Sequence, residues 1–136
     1  VTRVTMDGVY MVCDALVPGM QAQGAGAISN ILDSCIWKPI PGFLAHAAAK
    51  GALSAMTRQM AVDLAPHVRV NGVAPGPVLP PAGLPETRRR AIAQSTLLQR
   101  WGEAEDVAHA VIYLIEAEYV TGEIIAVDGG ERLSRG

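Results

Sequence analysis

The sequence predicts an α/β domain built on a parallel sheet with crossover helices. Two observations carry that prediction. Three short apolar runs, Ala27–Leu32, Val68–Ala74 and Gly122–Val127, have the length and composition of buried strands. The stretches before and between them repeat their apolar residues at helical spacing. The resulting order is helix, strand, helix, strand, two helices, strand, which is the order of a parallel sheet.

Taken in turn, Arg3 to Met20 places Val4, Val9, Cys13, Leu16, Val17 and Met20 close to helical period, with Pro18 near its end. Gln21 to Gly26 reads as a small-residue loop leading into the strand Ala27–Leu32. A loop through Trp37, Pro39, Pro41 and Gly42 precedes a long helix, Phe43–Leu64, which stops before Pro66. Val68–Ala74 is the second strand, closed by Pro75 and Gly76. Gly76 to Pro85 carries Pro77, Pro80, Pro81 and Pro85 and reads as a stiff, irregular loop of the kind that covers a site at a strand end. Glu86–Leu98 and Glu103–Glu116 are amphipathic helices, the second with Glu103, Glu105 and Asp106 suited to its N-terminal dipole. The last strand, Gly122–Val127, ends in the turn Asp128-Gly129-Gly130.

Composition narrows the class. Half of the 136 residues are hydrophobic and 18% are charged, which argues for a packed core over disorder. The net charge of −2, from 11 basic and 13 acidic side chains, gives no reason to expect nucleic acid or an anionic membrane as partner. No apolar run approaches the ~18 residues of a spanning helix, and no signal-peptide pattern opens the chain. Cys13 and Cys35 show no metal-ligand spacing, so the expectation is reduced thiols in a cytoplasmic protein and no metal. His67 and His109 form no metal pattern with either cysteine and read as packing residues. Arg88, Arg89 and Arg90 point in different directions on a helix and read as a solvated face.

One group of residues suggests chemistry. Asp33 follows a strand's C-terminal end, where open α/β sheets place their ligands. Thirteen residues later come His46 and Lys50, one turn apart on one face of the long helix. A carboxylate, an imidazole and an ammonium brought together there would suit acid–base work. The same residues also fit a blander reading, with Asp33 a loop cap, Lys50 a solvated lysine, and Pro75, Gly76 and Val78 turn residues.

Three motifs then carry a resemblance. Asn71-Gly-Val-Ala-Pro-Gly76, Gly102-Glu-Ala-Glu-Asp-Val107 and Thr121-Gly-Glu-Ile-Ile-Ala-Val-Asp-Gly-Gly130 resemble the short-chain dehydrogenase/reductases, nearly end to end but only over that family's C-terminal half. The resemblance implies the C-terminal part of a Rossmann-type doubly wound sheet without its N-terminal nucleotide-binding half. Residues 1–136 would then be a single incomplete domain, an expectation to which the opening Val1 adds. Gly24-Ala-Gly26 lacks a third glycine and precedes a strand, so it is no dinucleotide fingerprint. The first strand would be left as an apolar edge.

The family's site is Asn, Ser, Tyr and Lys. By resemblance Lys50 matches the lysine that holds the nicotinamide ribose, while His46 stands at the tyrosine position, Asp33 at the serine position and Thr5 at the asparagine position. The backbone of Pro75, Gly76 and Val78 would face the nicotinamide. An acid in place of the serine is the pattern of the pteridine reductase branch, which Asn30-Ile-Leu-Asp33, Lys50-Gly-Ala-Leu53 and the loop from Pro75 to Leu84 also resemble. The implied reaction is reduction of a pterin or folate-like ring with NADPH (NADH being the alternative), hydride passing to carbon and a proton to nitrogen. His46 would be the proton donor, since an imidazole titrates near ~6.5. The implied assembly is a homo-oligomer, dimer or tetramer, packed through the long helix. Two other readings stand beside it: a catalytically silent homologue acting as a subunit or scaffold, and a reductase of acyl or simple carbonyl substrates.

Overall fold

The computed structural model describes residues 1–134. Three strands, β1 (Gly26–Ile31), β2 (Val68–Pro75) and β3 (Ile124–Val127), form one parallel sheet in the order β1-β2-β3. The helices are α1 (Gly8–Gln23), α2 (Leu44–Asp63), α3 (Glu86–Ser95) and α4 (Ala104–Glu116). A π-helical turn at Arg3–Asp7 leads into α1, and short 3-10 turns occupy Ser34–Ile36 and Glu131–Leu133.

The central strand is β2, and its sequence explains why. Val68, Val70, Val73 and Ala74 are all at most 1% exposed, as an apolar strand covered on both faces must be. Val68 and Val70 pack with Ala61 and Met60 of α2, and Ala74 with Leu53, Leu32 and Ile124. Full burial of each such valine stabilises the fold by roughly 1.5–3 kcal/mol. The intervening Arg69 turns the other way. Its guanidinium donates to the carbonyls of Leu114 (2.8 Å) and Ile115 (2.6 Å), the last turn of α4, where carbonyls lack helical partners. Alternation along one strand thus docks α2 on one face and α4 on the other.

Both ends of β1 and the end of β2 lie one residue from the sequence expectation, and larger differences occur in α1, α3 and β3. The first helix does not stop near Pro18 but runs through it to Gln23, because Met20 still has a core to enter beside Ile28 of β1. The expected loop from Gln21 shrinks to two residues. Gly24, at φ +73°, closes α1, its amide donating to the Gln21 carbonyl. The third helix ends at Ser95 instead of Leu98, where the Thr96 hydroxyl donates to the Ala93 carbonyl (2.9 Å) and accepts from the Arg100 amide (3.2 Å) as the chain turns. The last strand begins at Ile124 and not at Gly122, whose φ is +77°. By contrast α2 falls within one residue of expectation at each end, with Phe43 and Leu64 as its caps. Before α4, the Glu103 and Asp106 side chains close a capping box.

Candidate active site

The site forms where β1 ends. Leu32 is still tied to the sheet, its amide donating to the Val73 carbonyl at 2.7 Å, and Asp33 comes next with extended backbone. One carboxylate oxygen, Oδ1, accepts from the Cys35 amide at 2.8 Å and starts the 3-10 turn. The other, Oδ2, lies 3.0 Å from His46 Nε2, on the first turn of α2. So one oxygen of this carboxylate caps the turn and the other meets the imidazole. Burial alone would raise the Asp33 carboxyl, but the Cys35 amide and the His46 ring hold it below the ordinary carboxylate range.

His46 and Asp33 each keep about a third of their side chains exposed, so the pair faces a solvent-accessible space. The Phe43 ring packs edge-on against the imidazole, centroids 6.0 Å apart, which limits how the ring can turn. With Nε2 engaged by Asp33, Nδ1 is the nitrogen left to face a ligand. One turn along α2, Lys50 Nζ donates to the Ile31 carbonyl at 2.7 Å. The ammonium is therefore held at the end of β1, beside Asp33, and is not a freely waving surface lysine. The three residues singled out in sequence are brought to one sheet end.

The Pro75–Val78 stretch leaves the end of neighbouring β2. The Gly76 amide donates to the Val127 carbonyl at 3.0 Å, and a Cβ at this position would lie 2.7 Å from that of Asp128. Glycine is needed here for close passage of β2's end over the β3 turn. Val78 bridges to Gly102, held by the Gly102 amide on the Pro77 carbonyl at 2.9 Å. That bond uses Pro77's carbonyl and not Val78's own backbone. Thr5 belongs to the π-helical turn, its amide donating to the Val1 carbonyl at 3.0 Å.

The chain matches the family model described as enoyl-(acyl carrier protein) reductase over residues 1–131. It belongs to the short-chain dehydrogenase/reductase family. It is 37% identical over 135 residues to the 3-oxoacyl-[acyl-carrier-protein] reductase FabG of Thermotoga maritima, covering 96% of this chain and 55% of that one. It is 38% identical over 130 residues to the short-chain dehydrogenase/reductase homolog YusR of Bacillus subtilis, covering 94% of this chain and all of YusR. Among solved structures, FolM alternative dihydrofolate reductase 1 from Brucella suis, in complex with NADP, superposes with a TM-score of 0.89 at 32% identity, covering 98% of this chain and 54% of that one. The chain thus spans about half the length of FabG and FolM and the whole length of YusR. Its three-stranded parallel sheet is part of the Rossmann-type sheet of this short-chain family.

Sequence reading missed residues that the fold adds to the site. Cys35 is 4% exposed, and its thiol meets the Asp33 carboxylate. Burial first, then that hydrogen bond and charge, push the thiol up to about 12, with Lys50's charge opposing. Cys35 stands two residues after Asp33, and that proximity was the available signal. Ser34, Lys38 and Glu131 also join: the Ser34 hydroxyl donates to Glu131 Oε2 (3.0 Å), and Lys38 Nζ to the Glu131 carbonyl (3.1 Å). Nearly a hundred residues separate these partners, so no local pattern announces them. Together they tie the floor of the site to the turn after β3.

Proposed function

We propose that this chain is the catalytic portion of an NADPH-dependent short-chain oxidoreductase that reduces a pterin or folate-like ring. The observation that carries the reading is the Asp33–His46 pair at 3.0 Å, with Lys50 fixed at the same strand end. The likeness to FolM alternative dihydrofolate reductase 1 from Brucella suis, in complex with NADP, supports both the substrate class and the cofactor.

The residues present fit the nicotinamide end of such a cofactor. A cation is held by the Ile31 carbonyl at the strand end, beside the half-exposed acid–imidazole pair. Lys50 would hold the ribose, and the Pro75, Gly76 and Val78 backbone would face the nicotinamide. When bound, the cofactor supplies the hydride. Lys50 binds and orients. Asp33, locked by the Cys35 amide, holds His46 Nε2 and so fixes which way the ring points. His46 carries the proton toward the substrate nitrogen from Nδ1. Among the described residues there is no strand–Gly-rich turn–helix unit to cradle a pyrophosphate, so the chain by itself is expected to be inactive.

The assembly we propose is a homo-oligomer packed through α1 and α2. Tyr10, Met11, Val12 and Leu16 of α1 and Val62 of α2 are all more than half exposed, which leaves apolar side chains on both helices for a partner to cover. A groove of about 640 Å³ lies between these helices, lined by Cys13, Val17, Met56 and Met60. No helix among the described residues is long and apolar enough to cross a membrane.

A second reading, reduction of an acyl carbonyl, is favoured by the likeness to FabG. The deciding experiment compares NADPH oxidation with a dihydropterin against that with an acetoacetyl thioester, using the product of the full reading frame. Faster turnover of the dihydropterin supports the proposal. Faster turnover of the thioester moves the substrate to the acyl class, and turnover of neither sinks the reductase reading.

A further inference from the structure

Asp33, Cys35 and His46 do more than form an acid–imidazole pair. One donor atom from each lies within 4.8 Å of the others, giving a carboxylate oxygen, a sulfur and an imidazole nitrogen around a common point. We propose that these three side chains bind a divalent transition-metal ion, zinc by preference, at the sheet end.

The donor set selects the metal. Sulfur and imidazole with one carboxylate suit zinc and exclude magnesium and calcium, which take oxygen ligands. Three protein donors with a fourth position open to solvent is the ligand count of zinc sites that keep a water or substrate. Tetrahedral bonds of ~2.0–2.3 Å require donors roughly 3.5 Å apart. The Asp33–His46 separation of 3.0 Å is already inside that, and the widest pair must close by little more than an ångström.

The donors are also held in advance. The Cys35 amide fixes the Asp33 carboxylate through Oδ1 and leaves Oδ2 pointing at the imidazole. Phe43 restrains the ring. Cys35 is buried below the pair while Asp33 and His46 keep an exposed side, so an ion has both a floor and an entrance. The charges balance: the ion displaces the Cys35 Sγ proton to solvent, and thiolate and carboxylate together neutralise the two positive charges. Nothing is oxidised or reduced. Two terms oppose binding, the cost of removing the proton from a buried thiol and the nearby Lys50 ammonium.

Zinc in this position takes the same carboxylate and imidazole that the proposed reduction uses. A bound ion would therefore block that reduction, a consequence that rests on the reductase reading, whereas metal binding itself does not.

The test is a Co²⁺ titration of the reduced chain, followed by absorbance, with Zn²⁺ competition. The proposal predicts a sulfur-to-cobalt charge-transfer band and tetrahedral ligand-field bands that saturate at one equivalent and vanish when Zn²⁺ is added. Cys35→Ser abolishes the charge-transfer band and weakens Zn²⁺ more than ~100-fold, since loss of outer-sphere partners alone costs ~10–100-fold. Cys13→Ser leaves both unchanged. His46→Gln alters the ligand-field bands and weakens binding; its side chain is partly exposed, so this variant keeps the fold if Cys35→Ser does not. Absence of a charge-transfer band at millimolar Co²⁺, or a band that survives Cys35→Ser or disappears with Cys13→Ser, overturns the proposal. None of these outcomes depends on whether the site reduces anything, so a failed turnover assay and a failed metal site remain distinguishable.

Discussion

Asp33 Oδ2 and His46 Nε2 stand 3.0 Å apart across the junction of a strand end and a helix start, while Asp33 Oδ1 is held by the Cys35 amide. One carboxylate thereby aims one imidazole. By resemblance to the short-chain family these two positions would hold a serine and a tyrosine, and we propose that the imidazole takes over the proton-carrying role.

If His46 carries the proton, removing it should cost rate and not cofactor affinity. His46→Ala is expected to lower kcat for the preferred substrate by ~100-fold or more, the scale of a lost or misplaced general acid, with KM for NADPH unchanged. Steady-state kinetics on the full reading frame check this. A variant in which KM moves and kcat does not would make His46 a binding residue.

The β1–α2 contact under the site rests on one buried polar pair. Asn30 Nδ2 donates to Thr57 Oγ1 at 2.9 Å, and that hydroxyl donates to the Leu53 carbonyl at 2.8 Å. Thr57 is fully buried and Asn30 nearly so. Thr57→Val keeps the shape but strands the Asn30 amide, and should destabilise by ~1–3 kcal/mol in chemical denaturation. Thr57→Ser restores the hydroxyl and should recover most of that hydrogen-bond loss.

The fold was legible where local pattern and tertiary packing agree. The long helix can be read from Phe43 to Leu64 because its small and apolar residues keep helical period and Pro66 follows. The central strand can be read because Val68, Val70, Val73 and Ala74 form a short apolar run covered on both faces. Pro18 misled because a helix survives a proline when the turn beyond it, here Met20, still finds a core. Leu97 and Leu98 misled because α3 ends before them, at the turn that the Thr96 hydroxyl bonds. In the site, Asp33, His46 and Lys50 were visible through spacing, but Cys35 and Glu131 were not. Cys35 joins them only because the chain turns sharply after Asp33, and Glu131 only because the two loops meet in space.

Asn71 tests the other side of the sheet. Its side chain, 1% exposed, donates to the Val120 carbonyl at 2.9 Å and accepts from the Glu123 amide at 3.0 Å, holding the approach to β3. Asn71→Ala leaves both backbone groups without this partner and should cost ~2 kcal/mol or more. Asn71→Asp loses the donor and sets a buried carboxylate against the Val120 carbonyl, so at neutral pH its deficit by denaturant melting should match or exceed that of alanine.

Asp128 gives the fold an acid limit. Burial would raise its carboxyl, but the Arg132 and Gly130 amides at 3.0 Å and the Arg132 guanidinium at 2.9 Å hold it below the usual range. A depressed folded value means stability that is present above the unfolded value of ~3.9 and is lost as pH falls through the folded value. Stability of the wild type should therefore hold from neutrality to about pH 4, as far as this group is concerned, and fall below it. Asp128→Asn should be less stable at neutral pH, with the difference from wild type closing under acid. A difference that stays constant down to the acid transition would contradict this assignment.

We propose that this strand end receives the nicotinamide end of NADPH, with Lys50 as its anchor. Isothermal calorimetry of NADPH with the product of the full reading frame, wild type beside Lys50→Ala, tests it most directly. The account predicts micromolar binding that Lys50→Ala weakens by at least ~tenfold, equivalent to ~1.4 kcal/mol. Binding that is absent at millimolar NADPH, or unchanged by Lys50→Ala, would contradict it.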